Sequence, residues 1–176
     1  AGTVEVWHPD VRVFTIDDGN GNQLGSFYLD LFSRSNKRAG AWMNTLDTGR
    51  PSTPEPPGKP RLGMVCLNIH PPAAGDTVTL SHREVRTLFH EFGHLLHLMF
   101  TRVSIPSLAG TSVPRDFVEV PSQFMENWCW RPDVLKSFAR HERSGLPIPE
   151  EMLNSLDASR GNTPALALAG QLLYAK

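Results

Sequence analysis

Disulfide chemistry has little to work with in this chain: of 176 residues, only Cys66 and Cys129 are cysteines. Two thiols cannot make the framework of a small secreted domain, and they point to reduced side chains in a cytoplasmic protein. An excess of charge of one sign is missing too. Lys and Arg number 17 against 18 Asp and Glu, a net charge of −1. That balance removes the electrostatic ground for a nucleic-acid or anionic-membrane partner. No stretch approaches the roughly 20 apolar residues that span a bilayer. The residues from Ala1 to His8 carry neither the basic nor the apolar segment of a secretory signal, so none is expected. Internal repeats and heptads are absent as well. What remains is a length and an apolar share of 40% that suit one globular unit. Within it, four of the seven histidines (His82, His90, His94 and His97) crowd into one short window.

The first half reads as strands and loops. Residues 4–16 alternate around Val11, Val13, Phe14 and Ile16, then break at Asp17-Asp18-Gly19-Asn20-Gly21-Asn22, which is hairpin-turn chemistry. Residues 24–32 resume the alternation, with Phe27, Leu29 and Leu31 on one face and Tyr28, Asp30 and Phe32 on the other. Ala39–Met43 reads as a further short extended piece, and two or three paired strands are expected. Residues 51–60 hold five prolines and read as a surface loop. Leu62–Ile69 is an apolar run of strand length, closed by Pro71-Pro72 and a Gly75-Asp76 turn.

The helical half begins at Ser81. Ser81 and Glu84 form a capping box, and the sequence is then free of proline to Arg102. Val85, Leu88, Phe89, Phe92, Leu95, Leu96 and Met99 recur at helical spacing, so one face should be buried. A second helix is expected over residues 117–130. Pro121 must then lie in its first turn or kink it. Residues 134–143, 150–159 and 165–176 read as further helices. Trp128 and Trp130 are expected as core anchors, and both cysteines as buried apolar side chains. The fold class that follows is α+β, mainly α-helical. A small β-sheet over residues 1–80 precedes the helices of residues 81–176.

His90-Glu91-Phe92-Gly93-His94 carries the chemistry. On a helix, positions i and i+4 share a face, so both imidazoles can reach one metal ion, and neutral imidazole suits zinc. Glu91 is placed to take a proton from a water at such a site. The pattern sits among Leu, Phe, Val and Met. Burying a carboxylate and two imidazoles there costs several kcal/mol unless a metal or partners satisfy them. A catalytic zinc takes a third protein ligand and keeps a position open. A third histidine six residues beyond His94 would fall at Phe100, which cannot coordinate. A carboxylate on the second helix is the remaining option, and Asp116, Glu119 and Glu126 are all available. His97 is expected to be exposed or satisfied by a partner.

Two segments, Thr87-Leu-Phe-His-Glu-Phe-Gly-His-Leu-Leu-His97 and Asp116-Phe-Val-Glu-Val-Pro-Ser-Gln123, together resemble the M3 family of zinc metallopeptidases. Upstream, Trp7-His-Pro-Asp-Val11, Gly25-Ser-Phe-Tyr-Leu-Asp30 and Lys37-Arg-Ala-Gly-Ala-Trp42 are similar to what precedes the active-site helix in that family. The likeness covers essentially the whole chain. It implies a gluzincin-like site with one zinc ion held by His90, His94 and Glu119, Glu91 as catalytic base, and short unstructured peptides as substrates. Asp116 and Gln123, at helical spacing from Glu119, are candidates to orient the ligands, and a capping role at the helix start is an equal alternative for Asp116. The Gly40-Ala41 backbone is a candidate to receive an extended peptide.

The resemblance also implies parts not found in this sequence. M3 enzymes are much longer, and a later segment supplies a histidine and tyrosines that stabilise the oxyanion. Tyr28 and Tyr174 lie in no such motif. Losing one oxyanion donor costs about 10²–10³ in rate. The expectation is therefore a partial M3 catalytic domain over residues 1–176. A catalytically silent zinc-binding fragment and a small self-contained gluzincin-type peptidase stand as alternatives.

Overall fold

The structure is a computed structural model that describes residues 5–50, 58–73 and 76–160. Most of the proline-rich run, the Gly75 turn, the C-terminal helix expected over residues 165–176 and Tyr174 lie outside the described residues. The chain divides into two compact units, residues 1–126 and residues 127–176.

In the first unit, β1 (Arg12–Asp17) and β2 (Gln23–Phe32) form the expected antiparallel hairpin. Its turn is held by Asp18, whose carboxylate accepts from the backbone N–H of Asn20 at 2.9 Å and of Asn22 at 2.8 Å. Gly21 supplies the positive φ of 83° that the turn requires. β3 (Trp42–Asp47) begins later and runs further than the piece expected at Ala39–Met43, and β4 is Arg61–Ile69. The sheet has four strands in the order β1-β2-β4-β3, not two or three. β4 pairs parallel with β2 and antiparallel with β3, so the crossover from β2 places β3 at the sheet edge. Alternation within each strand does not reveal this, because it reports burial and not the neighbouring strand.

One face of the sheet is covered by α1 (His82–Met99). Its capping box forms as expected: Ser81 Oγ accepts from Glu84 N–H, and the Glu84 carboxylate accepts from Ser81 N–H at 2.8 Å. The helix ends at Met99, the last residue of the apolar stripe. Leu95, Leu98 and Met99 are fully buried against Phe27, Val65, Leu67 and Ile69. Val85 and Leu96 are only half-buried. The apolar stripe is thus deepest over the last turns. α2 (Arg115–Glu126) packs on α1, and Pro121 lies inside it rather than in its first turn. The missing proline N–H falls opposite the carbonyl of Phe117, an exposed residue.

Three segments of the first unit meet at one buried carboxylate. Asp30 is 2% exposed. It accepts from both terminal nitrogens of Arg34 at 2.8 and 2.7 Å, from Lys37 Nζ at 2.9 Å and from Trp7 Nε1 at 3.1 Å. Burial alone would raise its pKa, but these donors outweigh that and hold it well below the usual carboxylate range. Lys37 also donates to the carbonyls of Asp30 and Phe32, and Asn68 Nδ2 donates to those of Arg38 and Gly40. Together they fix the path of the chain into β3.

In the second unit, residues Asn127–Trp130 tighten into a 3-10 turn, so the helix expected to reach Trp130 ends at Glu126. α3 (Pro132–Phe138) and α4 (Glu150–Arg160) follow. Cys129, Leu135 and Leu153 are buried there. Trp128 is 40% exposed, contrary to its expected role as a core anchor, whereas Trp130 stacks under Arg160 with 5.4 Å from the guanidinium carbon to the ring centroid. Both cysteines are free and buried, as expected.

The Asp30 carboxylate ties stability to pH. Its folded-state pKa is depressed, so its contribution is present above the unfolded value of about 3.9 and is lost as pH falls through the folded value. Asp30→Asn leaves Lys37 buried without its counter-charge and is expected to cost about 3–5 kcal/mol. Its stability should also fall less steeply below about pH 4 than that of the parent chain. Urea unfolding followed across acid pH checks both outcomes.

Candidate metal centre

The residues of the His-Glu-x-x-His pattern all lie on α1, where the 3.6-residue period stacks His90 and His94 on one face. Their rings are 5.0 Å apart between centroids. Glu119 on α2 meets them. Its Oε2 is 3.2 Å from His90 Nε2 and 3.2 Å from His94 Nε2. Among the described residues, this is the one group of three side chains whose ligand atoms lie within 4.8 Å of one another. Of the three carboxylates available on α2, the structure thus brings Glu119 to both histidines.

The approach of the two helices depends on Gly93. A Cβ at that position would stand 2.6 Å from the carbonyl oxygen of Pro121 and 2.6 Å from Cα of Ser122. Both are backbone atoms and cannot turn aside. The glycine between the two histidines therefore lets α2 come close enough for Glu119 to reach them.

Further contacts set the direction of the donor atoms. Ser122 is fully buried, and its Oγ donates to Glu119 Oε2 at 2.7 Å. His90 Nδ1 is 2.7 Å from Glu126 Oε1. An ionised carboxylate can only accept, so Nδ1 donates to it, and Nε2 is the nitrogen turned toward Glu119. Arg86 Nε stands 3.4 Å from the other oxygen of Glu126. Asp116 and Gln123, the candidates to orient the ligands, are both exposed. Asp116 sits in the first turn of α2, where a carboxylate complements the helix dipole. Ser122 contacts Glu119 and Glu126 contacts His90. Glu119, Ser122 and Glu126 recur at three- and seven-residue spacing along one helical face, a signal already present in the sequence.

The donor set fits a metal ion on physical grounds. Nε2 of His90 and Nε2 of His94 each lie 3.2 Å from Glu119 Oε2, so three ligand atoms converge on one point. Bonds of about 2.0–2.1 Å in tetrahedral geometry place ligand atoms about 3.3 Å apart, close to this spacing. Two imidazoles and a carboxylate are also a donor set suited to zinc. Burial lowers the His94 pKa, which favours the neutral ring that a metal needs.

Glu91 is 7% exposed, and burial, reinforced by the nearby charge of Glu119, raises its pKa. His90 and the backbone N–H of Met43, on the edge strand β3, act in the opposite direction. A carboxylate tuned upward can take and return a proton near neutral pH. His97 departs from its expected setting. It is half-buried, its Nδ1 has no partner, and its ring packs on Phe117 at 6.2 Å between centroids. His82, in the first turn of α1, is half-buried as well.

Residues 2–176 match the model of peptidase family M3. The chain is 46% identical over 172 residues to oligopeptidase A of Escherichia coli (strain K12), which covers 97% of this chain and 25% of that protein. It is 45% identical over 150 residues to dipeptidyl carboxypeptidase of the same strain, covering 85% and 21%. Against the mitochondrial intermediate peptidase of Arabidopsis thaliana it is 37% identical over 171 residues, covering 97% and 24%. The chain spans about a quarter of the length of these curated relatives.

Two substitutions probe the centre. Gly93→Ala should lower stability by about 1–3 kcal/mol and weaken binding of a divalent metal, because α2 must retreat and take Glu119 with it. Glu126→Ala should weaken metal affinity about 10–100-fold while the metal-free unfolding midpoint moves little. Thermal unfolding with and without EDTA, together with a metal titration, measures both.

Proposed function

The chain belongs to peptidase family M3, and from that premise we propose that it carries the zinc site and the proton-transferring base of a peptide hydrolase. His90, His94 and Glu119 hold one zinc ion in a gluzincin-like arrangement. When bound, the ion supplies Lewis acidity toward a peptide carbonyl and makes a water more acidic. Glu126 keeps His90 Nε2 free of its proton, and Ser122 holds the Glu119 carboxylate in register. Glu91 takes a proton from the attacking water on its carboxylate and returns it to the nitrogen of the leaving amine. The convergence of His90, His94 and Glu119 ligand atoms within 4.8 Å of one another, with buried Glu91 on the same helix, is the observation that carries this reading.

Short unstructured peptides are the substrates we infer. β3 is an edge strand whose Met43 N–H already addresses Glu91. An extended peptide laid along that edge brings its backbone past the base, and Gly40-Ala41 leave room at the point of entry. A cytoplasmic setting suits the two free thiols. Among the described residues, no helix is long and apolar enough to cross a membrane.

A specific observation supports a second reading, that of a zinc-binding but catalytically silent piece. Tyr28 packs on Trp7 at 4.9 Å between ring centroids and so is engaged on the sheet, not offered as an oxyanion donor. Metal analysis and hydrolysis of a quenched fluorescent peptide separate the two. The enzyme reading expects about one zinc per chain, its loss in His90→Ala, and cleavage that disappears in Glu91→Gln while zinc is retained. Zinc without cleavage selects the silent reading. Cleavage that survives Glu91→Gln refutes the proposed base.

A further inference from the structure

Beyond the C-terminal end of α1, a cleft of about 960 Å³ opens between the β1–β2 turn, the start of β4 and the residues that follow the helix. None of His90, Glu91, His94 or Glu119 lines it. Its walls are rich in cations, for Arg50, Lys59, Arg61 and Arg102 all contribute, against the carboxylates of Asp17 and Asp18. Asp18 is committed to its own turn, where it accepts from two backbone N–H groups and from Asn22 Nδ2 at 2.9 Å. Lys59 reaches Asp47.

Arg61 is the unusual member. It is 7% exposed, yet its hydrogen bonds run only to the carbonyls of Thr101 and, at 3.5 Å, Leu24, and its Nε has no partner. No described carboxylate pairs with it. Burial pulls its pKa down, and the charge of Arg102 adds to that. Arg102 itself is exposed and forms no ion pair with a described residue. A role for Arg61 as a brace on the chain after α1 accounts for its bond to Thr101. It does not account for gathering a second guanidinium beside a buried one, since like charges in such a setting repel.

We propose that this cleft binds a phosphate-bearing small molecule, with Arg61 and Arg102 as the guanidinium pair that receives the phosphate and Lys59 beside them. Guanidinium forks match phosphate oxygens in pairs. A dianion compensates both guanidiniums, whereas one carboxylate would leave the second charge unanswered. The cleft exceeds the size of a lone phosphate and has room for an organic portion.

The test is calorimetric titration of the 176-residue chain with inorganic phosphate, at ionic strength held constant with sodium chloride. Saturable binding is expected. Arg102→Ala should weaken it at least about tenfold, the loss of a charge-assisted bond. Arg131→Ala, an exposed arginine of the second unit, should leave it unchanged, and both variants should unfold at the parent temperature without phosphate. Absence of saturable binding overturns the proposal. So does binding that Arg102→Ala leaves intact, which would put the anion elsewhere, and so does equal weakening by both variants, which would reduce it to nonspecific charge attraction.

Discussion

The backbone of α2 at Pro121 and Ser122 lies against the bare Cα of Gly93, closer than any side chain at that position would allow. That contact sets the separation of two helices, and the separation decides whether Glu119 can reach both histidines. A carboxylate displaced by one ångström no longer shares a metal with imidazoles on the other helix, because coordination bonds tolerate only small changes in length. Ser122 serves twice at the same place. Its Cα forms part of the contact, and its hydroxyl holds the Glu119 carboxylate. Packing and ligand orientation are therefore joined in one stretch of α2.

The sheet supplies the other half of the setting. Asp30 gathers Trp7, Arg34 and Lys37, and through Lys37 and Asn68 the chain is directed into β3. β3 in turn brings the Met43 N–H to Glu91. The three upstream segments that resemble M3 sequences each contribute a residue to this one carboxylate: Trp7, Asp30 itself and Lys37. Their shared location gives that resemblance a physical content. They hold the edge strand that reaches Glu91.

Much of this could be read locally. The capping box at Ser81, the hairpin turn around Asp18 and Gly21, and the pairing of His90 with His94 all involve residues within a few positions of one another. Their geometry follows from backbone periodicity alone. Reading became harder wherever a partner came from afar. Parallel pairing of β2 with β4 was not legible, since alternation records which face is buried and not which strand lies alongside. The 3-10 turn at Asn127–Trp130 is not legible in the sequence, because helix ends answer to packing as well as to composition. Asp116, Ser122, Gln123 and Glu126 all stand at helical spacing from Glu119, so spacing along α2 alone does not choose among them.

The sequence by itself determined the secondary structure that carries the site, the histidine pair and the neighbouring carboxylate, because all three are consequences of a 3.6-residue period over a capped helix. It also carried the family resemblance. On residue chemistry alone it left Asp116, Glu119 and Glu126 as equal candidates beside the histidines. The tertiary structure divided their positions: Glu119 meets both Nε2 atoms, Glu126 accepts a hydrogen bond from His90 Nδ1, and Asp116 stays at the exposed helix start. Only the rotation and distance of α2 against α1 could decide this, and both are set by a contact between residues 93 and 121 that no local pattern encodes.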